Sequence, residues 1–524
     1  MDTNEGHPVM LRSLQERINQ AVSNKQWADA VDHLIELLSH TKSNSARART
    51  AYTIAVFYRD HLRDPTRAIY YFQQALHEDP TLLRAFDALE SLLHDARDWR
   101  ALERALRTLL QTLHALPDDE RDPAVSFGVW FKLGELYASK LSDPDSATAA
   151  FEQAKALRPH SLEAHRALID LYSRQQRYDD AISTCASALS LPPDVSVSPT
   201  ALALRHADFY HALFTFYMHL RQFDSAWCVS SLLTFLRAAE PVEADLYTHY
   251  ASAGLSSAQG RFTNDLWSLV THPSHSMRIS NIMAVISAAC RDLFSYDLSH
   301  WGLRKKHKLD LSANALVCKL YPYSAGVIGL APLPELYLNS EQILGMFNAN
   351  LTPPAFILGA DMLQGHTPQA LAFITARQLA LATPQHYMAS LGLTDEILKG
   401  YMIAAIIACS PSPPPVSDPS IQEIVKQLAK MPTPMKMELA KMMRPILDAQ
   451  LEVNLAEWLR GVDLTANRVA LLLCGDISTA IHAVRNDNRP ISSLSTADRE
   501  RDLIAFSTSP NLFEARARLG LSIA

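Results

Sequence analysis

Apolar residues recur at helical offsets through the first half of the chain. Ile54, Ala55 and Tyr58 are followed by Ala68, Phe72 and Ala75, Trp99 by Leu102, Leu106 and Leu109, and Leu168 and Tyr172 by Ala181 and Ala188. Spacings of three and four put each set on one helix face. Two segments break the run, 116–126 and 191–200, and both read as loops. The helical texture persists to about Leu303 and then changes. Between 315 and 338 the runs Ala-Leu-Val-Cys-Lys-Leu-Tyr-Pro-Tyr, Gly-Val-Ile-Gly-Leu and Glu-Leu-Tyr-Leu predict short strands broken by turns, with Ser324-Ala325-Gly326 and Gly329 in one of them. A further strand is predicted at 354–359. The polar stretch 361–369 leads into an apolar helix over 370–382 that Pro384 stops, and the tail 498–520 predicts two helices about a turn at Ser509-Pro510-Asn511.

The first-half helices also repeat. Trp130, Leu133, Gly134, Tyr137, Ala147, Phe151, Ala154 and Pro159 resemble the tetratricopeptide pattern, with one extra residue in the turn between the two helices. Leu168, Tyr172, Ala181, Ala188 and Pro193 keep its standard spacing, with Cys185 where a large residue is expected. An earlier unit runs Ile54, Ala55, Tyr58, Ala68, Phe72, Ala75 and Pro80, with an inserted turn at Asp64-Pro65. Small residues such as Ala147 and Ala181 let two antiparallel helices approach closely, aromatic side chains fill the groove between them, and proline ends the second helix. Weaker units stand at Trp27 with Ala30, at Trp99, and at Phe223 with Ala226 and Leu233. The expectation is five to seven helix pairs from about 10 to 260, stacked as a right-handed solenoid. The resemblance implies a protein or peptide partner on the concave face formed by the first helix of each pair. That register places Arg49, Tyr52, Arg59, Glu135, Arg166 and Asp170 there. An array that packs only against its own C-terminal domain is the other reading.

At 524 residues the chain predicts two to four domains. Only 16 glycines favour helices over dense β-structure, which needs glycine at its tight turns. The net charge is −7, and the sole basic block, Arg304-Lys305-Lys306-His307-Lys308, reads as a solvated loop, so no nucleic-acid partner is expected. Six scattered cysteines without a C-x-x-C pair read as buried free thiols. No signal peptide stands at the start, and the apolar stretches 282–290 and 402–409 are too short to span a bilayer. A soluble, cytoplasmic protein with no cofactor is expected.

The order of short strands, an apolar strand and then the helix holding Leu371-Ala372-Phe373-Ile374-Thr375-Ala376-Arg377-Gln378-Leu379-Ala380-Leu381 resembles the zinc metallopeptidases of the CAAX prenyl endopeptidase family and their soluble bacterial relatives. In that family the helix carries H-E-x-x-H, whose histidines at i and i+4 reach one zinc ion while the glutamate activates the metal-bound water. Here the matching residues are Arg377, Gln378 and Leu381, and none can do that work. The second anchor, Asp463-Leu464-Thr465-Ala466-Asn467-Arg468, resembles the family's downstream helix, with Asp463 at the place of the third ligand and Asn467 at that of an orienting aspartate. If Arg377 and Asp463 stand where two ligands stood, the guanidinium replaces the metal as the local cation and pairs with the carboxylate. Other histidine groups, His206 with His211, His272 with His275, and His366 with His386, read as surface or core residues. No phosphate loop, nucleophile elbow or dinucleotide fingerprint is present.

Two further segments carry weaker signals. The polyproline stretch 411–419 reads as a loop, and the methionines Met431, Met435, Met437, Met442 and Met443 read as core packing. The sequence therefore predicts a mostly α protein: a tetratricopeptide-like solenoid over 1–262, a helical connector over 263–310, and a degenerate metallopeptidase-like α+β domain with a small sheet over 311–524. Its expected function is that of a non-catalytic, bacterial scaffold or regulatory protein. The alternative is a hydrolase, a peptidase, with a relocated or non-standard active site in the degenerate metallopeptidase-like domain.

Overall fold

The computed structural model describes residues 6–119, 121–251, 254–339, 345–410, 415–448, 453–487 and 489–523, with side chains from Met10 onward. They form two compact units, Met1–Leu191 and Pro192–Ala524.

The first unit is five helix pairs: α1 (Gly6–Ser23) with α2 (Trp27–His40), α3 (Asn44–Asp60) with α4 (Pro65–Glu78), α5 (Leu83–Asp95) with α6 (Trp99–Ala115), α7 (Pro123–Leu136) with α8 (Pro144–Leu157), and α9 (Leu162–Arg174) with α10 (Tyr178–Leu189). Each pair turns through one left-handed residue, Lys25, Arg63, Arg97, Ser142 and Gln176 in order, all with φ between 52° and 59°. Arg63 and Arg97, and again Ser142 and Gln176, stand 34 residues apart, which is the tetratricopeptide period. Caps fix where the second helices start. Asp64, Asp98 and Asp143 accept hydrogen bonds from the backbone N–H groups of Arg67, Ala101 and Ser146, and Pro65 and Pro144 occupy the first turn. The extra residue before α8 is absorbed by a π-helical turn at Tyr137–Leu141 that extends α7. Ala68, Phe72, Ala75, Ala147, Phe151 and Ala154 are buried between the helices, as their spacing predicts. Gly134 lies so close to the Phe151 ring that a Cβ there would stand 2.6 Å from it.

The second unit opens with α11 (Pro199–Arg205), α12 (Ala207–His219), α13 (Phe223–Phe235), α14 (Pro241–Ala251), α15 (Asn264–Val270) and α16 (Met277–Ala289). Next come α17 (Leu316–Ile328) and a three-stranded sheet of β1 (Glu335–Asn339), β2 (Met346–Asn348) and β3 (Ala355–Gly359). Strand β3 is central, parallel to β1 and antiparallel to the edge strand β2. The chain ends in α18 (Pro368–Leu381), α19 (Tyr387–Ser390), α20 (Asp395–Cys409), α21 (Pro419–Ala429), α22 (Thr433–Asp448), α23 (Leu455–Cys474), α24 (Ile477–Arg485), α25 (Thr496–Ser507) and α26 (Pro510–Leu519). The protein is thus mostly α with one small sheet.

The division between units falls some 70 residues before the solenoid end expected at 262. The pair α12 and α13 still has the repeat grammar, with Arg221 left-handed between them. However, α13 is buried from Ser225 through Leu233, because α24, α25 and α26 pack on it. Arg516 of α26 makes a bidentate pair with Asp224, at 2.9 and 2.8 Å, and stacks over Trp227. A helix clasped this way is core of the second unit.

One expectation is overturned. Residues 316–328 are a helix, not strands, and Pro322 lies inside it. Val317, Cys318, Tyr321, Ser324, Ala325 and Ile328 form a buried stripe at helical spacing that the β-branched and aromatic residues of the run disguised. Ser324 to Gly326 belong to this helix, and Gly329 ends it with φ 81°. The strands at 335–339 and 355–359 and the helix at 368–381 stand as expected. The methionines divide: Met431 and Met443 are buried, whereas Met437 is 69% exposed. Residues 411–414 of the polyproline stretch lie outside the described residues.

Helix α23 is the axis of this unit, with 16 of its 20 residues buried. It runs so close to the 272–276 loop that a Cβ on Gly461 would stand 2.4 Å from the backbone nitrogen of His275. Backbone cannot step aside as a flexible side chain can. Gly461→Ala is therefore expected to destabilise the protein by about 1–3 kcal/mol despite alanine's better helix propensity, read by chemical denaturation; an unchanged midpoint would refute the close contact.

Candidate functional site

In the first unit the expected partner-binding residues fall on first helices: Arg49, Tyr52 and Arg59 on α3, Glu135 on α7, Arg166 and Asp170 on α9. They do not form one cluster. Arg59 is turned onto its neighbour Asp60, at 2.6 and 2.9 Å, and Asp170 pairs with Arg174 of its own helix at 2.6 Å. Tyr52 packs against Phe72. Arg49, Arg166 and Glu135 are exposed. Glu135 instead joins a group the sequence reading missed. Neighbouring side chains shield its carboxyl from part of the solvent, and this desolvation, then the nearby carboxylates of Glu163 on α9 and Glu90 on α5, raise its pKa against the opposing pull of Lys132. Lys132 bonds to Glu90 and sits over the Phe86 ring. Asp87, 4.0 Å from Lys132, and Glu90 stand three apart on α5, Lys132 and Glu135 three apart on α7, and Glu163 lies on the next first helix, α9, the spacing from which this stripe could have been read.

In the second unit the chemistry gathers on α18. Thr367 caps the helix by accepting from the N–H of Ala370. Its buried side, Leu371, Ala372, Thr375 and Leu379, faces the helices it packs on, among them α17 and α23. The opposite stripe, Ala370, Phe373, Ile374, Arg377 and Gln378, forms one wall of a cleft of about 580 Å³. The other walls come from the start of β2, from the turn around Asp361, and from α24 with the chain just beyond it. Of Arg377, Gln378 and Leu381, the first two line the cleft, while Leu381 is core.

Arg377 and Asp463 meet directly, Nη2 to Oδ1 at 3.0 Å. The pair is part of a closed set. Arg377 also reaches Asp487 at 3.1 Å and donates from Nε to Asn467 at 2.8 Å. Arg499 on α25 lies 3.4 Å from Asp463 and 3.2 Å from Asp487, and the Ser492 hydroxyl donates to Asp463 at 2.8 Å. Two guanidiniums and two carboxylates thus alternate around a ring. Asp463 is fully buried, Arg377 and Arg499 nearly so, and Asp487, which lines the cleft, is the most exposed of the four. Burial lowers the Arg377 pKa, but Asp463 and Asp487 outweigh it and hold the group above its ordinary value. The sequence reading found Arg377, Asp463 and Asn467 and missed Asp487, Ser492 and Arg499. The missed residues lie in a turn-like stretch and a polar helix start, where nothing in the local pattern distinguishes a buried charge from a solvated one.

The histidine groups divide. His211 pairs with Glu243 at 2.8 Å. His366 is at the cleft, 3.9 Å from Asp361. His275 and His386, from different sequence groups, lie side by side with ring centroids 4.9 Å apart. Their ring nitrogens meet hydroxyls and a carbonyl: Ser280 at 2.6 Å for His275, Thr383 at 3.0 Å and the carbonyl of Ala380 at 2.9 Å for His386. Among the described residues no group of three His, Cys, Asp or Glu side chains could hold a metal ion. Also among them, no helix is long and apolar enough to cross a membrane.

Comparison with known proteins places the repeats. The family described as tetratricopeptide repeat matches residues 138–205. No curated protein matches the chain. Among solved structures, a crystal structure of MamA is 20% identical over 33% of this chain and 92% of its own, with a TM-score of 0.22. MamA from Desulfovibrio magneticus RS-1 is 17% identical over 34% and 90%, with a TM-score of 0.21. PilF of Pseudomonas aeruginosa is 15% identical over 48% and 100%, with a TM-score of 0.24. The chain carries tetratricopeptide repeats, and the family match lies outside the cleft and its charge ring.

The buried histidines make a pH prediction. Burial pushes His275 down to about 3, helped by His386 and His272, and pushes His386 down to about 4. The fold therefore refuses protons that the unfolded chain takes up near pH 6.5. Their contribution is fully present above that pH and is lost as pH falls toward 4, by up to about 1.4 kcal/mol per unit for each histidine. Thermal melts between pH 7.5 and 5 are expected to show this fall, and His386→Gln to reduce its slope by roughly half; a slope unchanged in the variant would contradict the assignment.

Proposed function

We propose that this protein is a non-catalytic scaffold or regulatory protein that binds a protein or peptide partner through the first helices of its tetratricopeptide pairs, and that its second unit is a pseudo-peptidase. The observation that carries the reading is the run of five helix pairs with exposed polar side chains and half-buried aromatic ones, such as Tyr52, on their first helices, a surface built by repetition. Arg49 on α3 and Arg166 on α9 are the charged contacts assigned to the partner, with Tyr52 beside the first. For the second unit, the support is chemical. Arginine, glutamine and leucine at positions 377, 378 and 381 offer neither a zinc ligand nor a general base, and the one carboxylate at the expected third-ligand position is committed to two arginines. Six cysteines, all unpaired and five of them buried, fit a reducing cytoplasm.

The test is affinity co-purification of the full chain from its native cells beside the Arg49→Glu/Tyr52→Ala/Arg166→Glu variant, with mass spectrometry. The expected outcome is one partner depleted at least about tenfold by the variant while its melting temperature is kept, since reversing two contact charges removes more than about 1.4 kcal/mol. A partner set unaffected by the three substitutions would contradict the reading.

A further inference from the structure

The cleft beside α18 has a composition that the charge ring does not account for. Its long wall is apolar, built by Phe373 and Ile374 of α18, Met346 of β2, Met362 and Val484. The two methionines give that wall an adaptable lining. Its volume of about 580 Å³ is in the range of small-molecule sites.

The polar groups at the rim are not alike. Asp361 accepts the backbone N–H of Gly345 with both oxygens, each at 3.1 Å, and has His366 3.9 Å away. Asp487 is held by both arginines of the ring and accepts the backbone N–H of Arg489 at 3.0 Å. Arg489 is different. Its guanidinium carbon stands over the Phe347 ring, 4.1 Å from the centroid, and among the described residues no carboxylate pairs with it. It is a cation beside an aromatic face, and among the described residues it has no partner of opposite charge. Such a planar fork matches a carboxylate with two parallel hydrogen bonds. Asp361 and Asp487 nearby repel a dianion more strongly than a monoanion, which disfavours a phosphate monoester.

We propose that this cleft binds a small amphipathic carboxylate, with the hydrocarbon part along the wall of Met346, Phe373 and Ile374 and the head group on Arg489. The same chemistry is offered by a free acyl carboxylate and by the C-terminus of a short apolar peptide. The site is independent of the partner surface on the first unit, so either reading can fail without the other.

Calorimetric titration of the full chain with decanoate, decan-1-ol and decylamine tests it, with an apolar hexapeptide carrying a free or an amidated C-terminus as the second arm. Decanoate is expected to bind about tenfold or more tighter than decan-1-ol, and decylamine more weakly than either, because a charge-assisted hydrogen bond separates the head groups. Arg489→Ala is expected to erase the preference for decanoate while leaving decan-1-ol binding and the melting temperature in place, since the side chain is exposed. Ile374→Asp is expected to abolish binding of both. A free-terminus peptide that binds with the same Arg489 dependence assigns the natural ligand to peptides; a silent peptide arm beside decanoate binding assigns it to acyl carboxylates. Equal binding of decanoate and decan-1-ol, a preference that survives Arg489→Ala, or no binding by any probe would overturn the proposal.

Discussion

A guanidinium taken out of water among packed helices is tolerable only where opposite charge and hydrogen-bond acceptors surround it, and Arg377 and Arg499 meet that condition jointly. Each lies beside Asp463 and Asp487, so removing any one member leaves an unbalanced charge in the interior. Because the four residues come from α18, α23, the turn after α24 and α25, the ring also fixes how those elements pack. The adjacent pairs Arg468 with Asp502 and Arg485 with Glu500 are bidentate and bind α25 to α23 and α24 in the same manner. The cleft wall inherits its shape from this arrangement, since Arg377 belongs both to the ring and to the wall.

The first unit is held by a different constraint. Its pairs are set by backbone periodicity: a left-handed residue at each tight turn, a capping aspartate at several second-helix starts, and alanines where two helices meet. These are local devices repeated along the chain, so a departure such as the π-helical turn at Tyr137–Leu141 is absorbed within one pair. Arg49 and Glu135 stand exposed on first helices while Ala68 and Phe72 fill the space between helices, so the packing that sets the pairs does not depend on the exposed charges.

Much of this was legible in the sequence, for identifiable reasons. Helix pairs announced themselves through Ala, aromatic and Pro positions at fixed spacing, and the meeting of Arg377 with Asp463 followed from the resemblance that placed both on facing helices. Tertiary context hid the rest. Residues 316–328 carry a β-like composition in a helix that buries it, and α13 has repeat spacing but is clasped by the last three helices, which moved the unit boundary to 191. Asp487 and Arg499 were invisible because a polar turn and a polar helix start look solvated until the chain folds back over them. Arg489 was hidden for a related reason: it packs on an aromatic ring of a strand some 140 residues earlier.

Arg377 and Asp463 neutralise each other in the interior of the second unit. A double-mutant cycle with Arg377→Met and Asp463→Asn, read by denaturant unfolding, tests it most directly. Each single substitution is expected to cost about 3–5 kcal/mol and the double substitution clearly less than the sum, with a coupling of at least about 2 kcal/mol. Single losses below about 1 kcal/mol, or strictly additive ones, would contradict it.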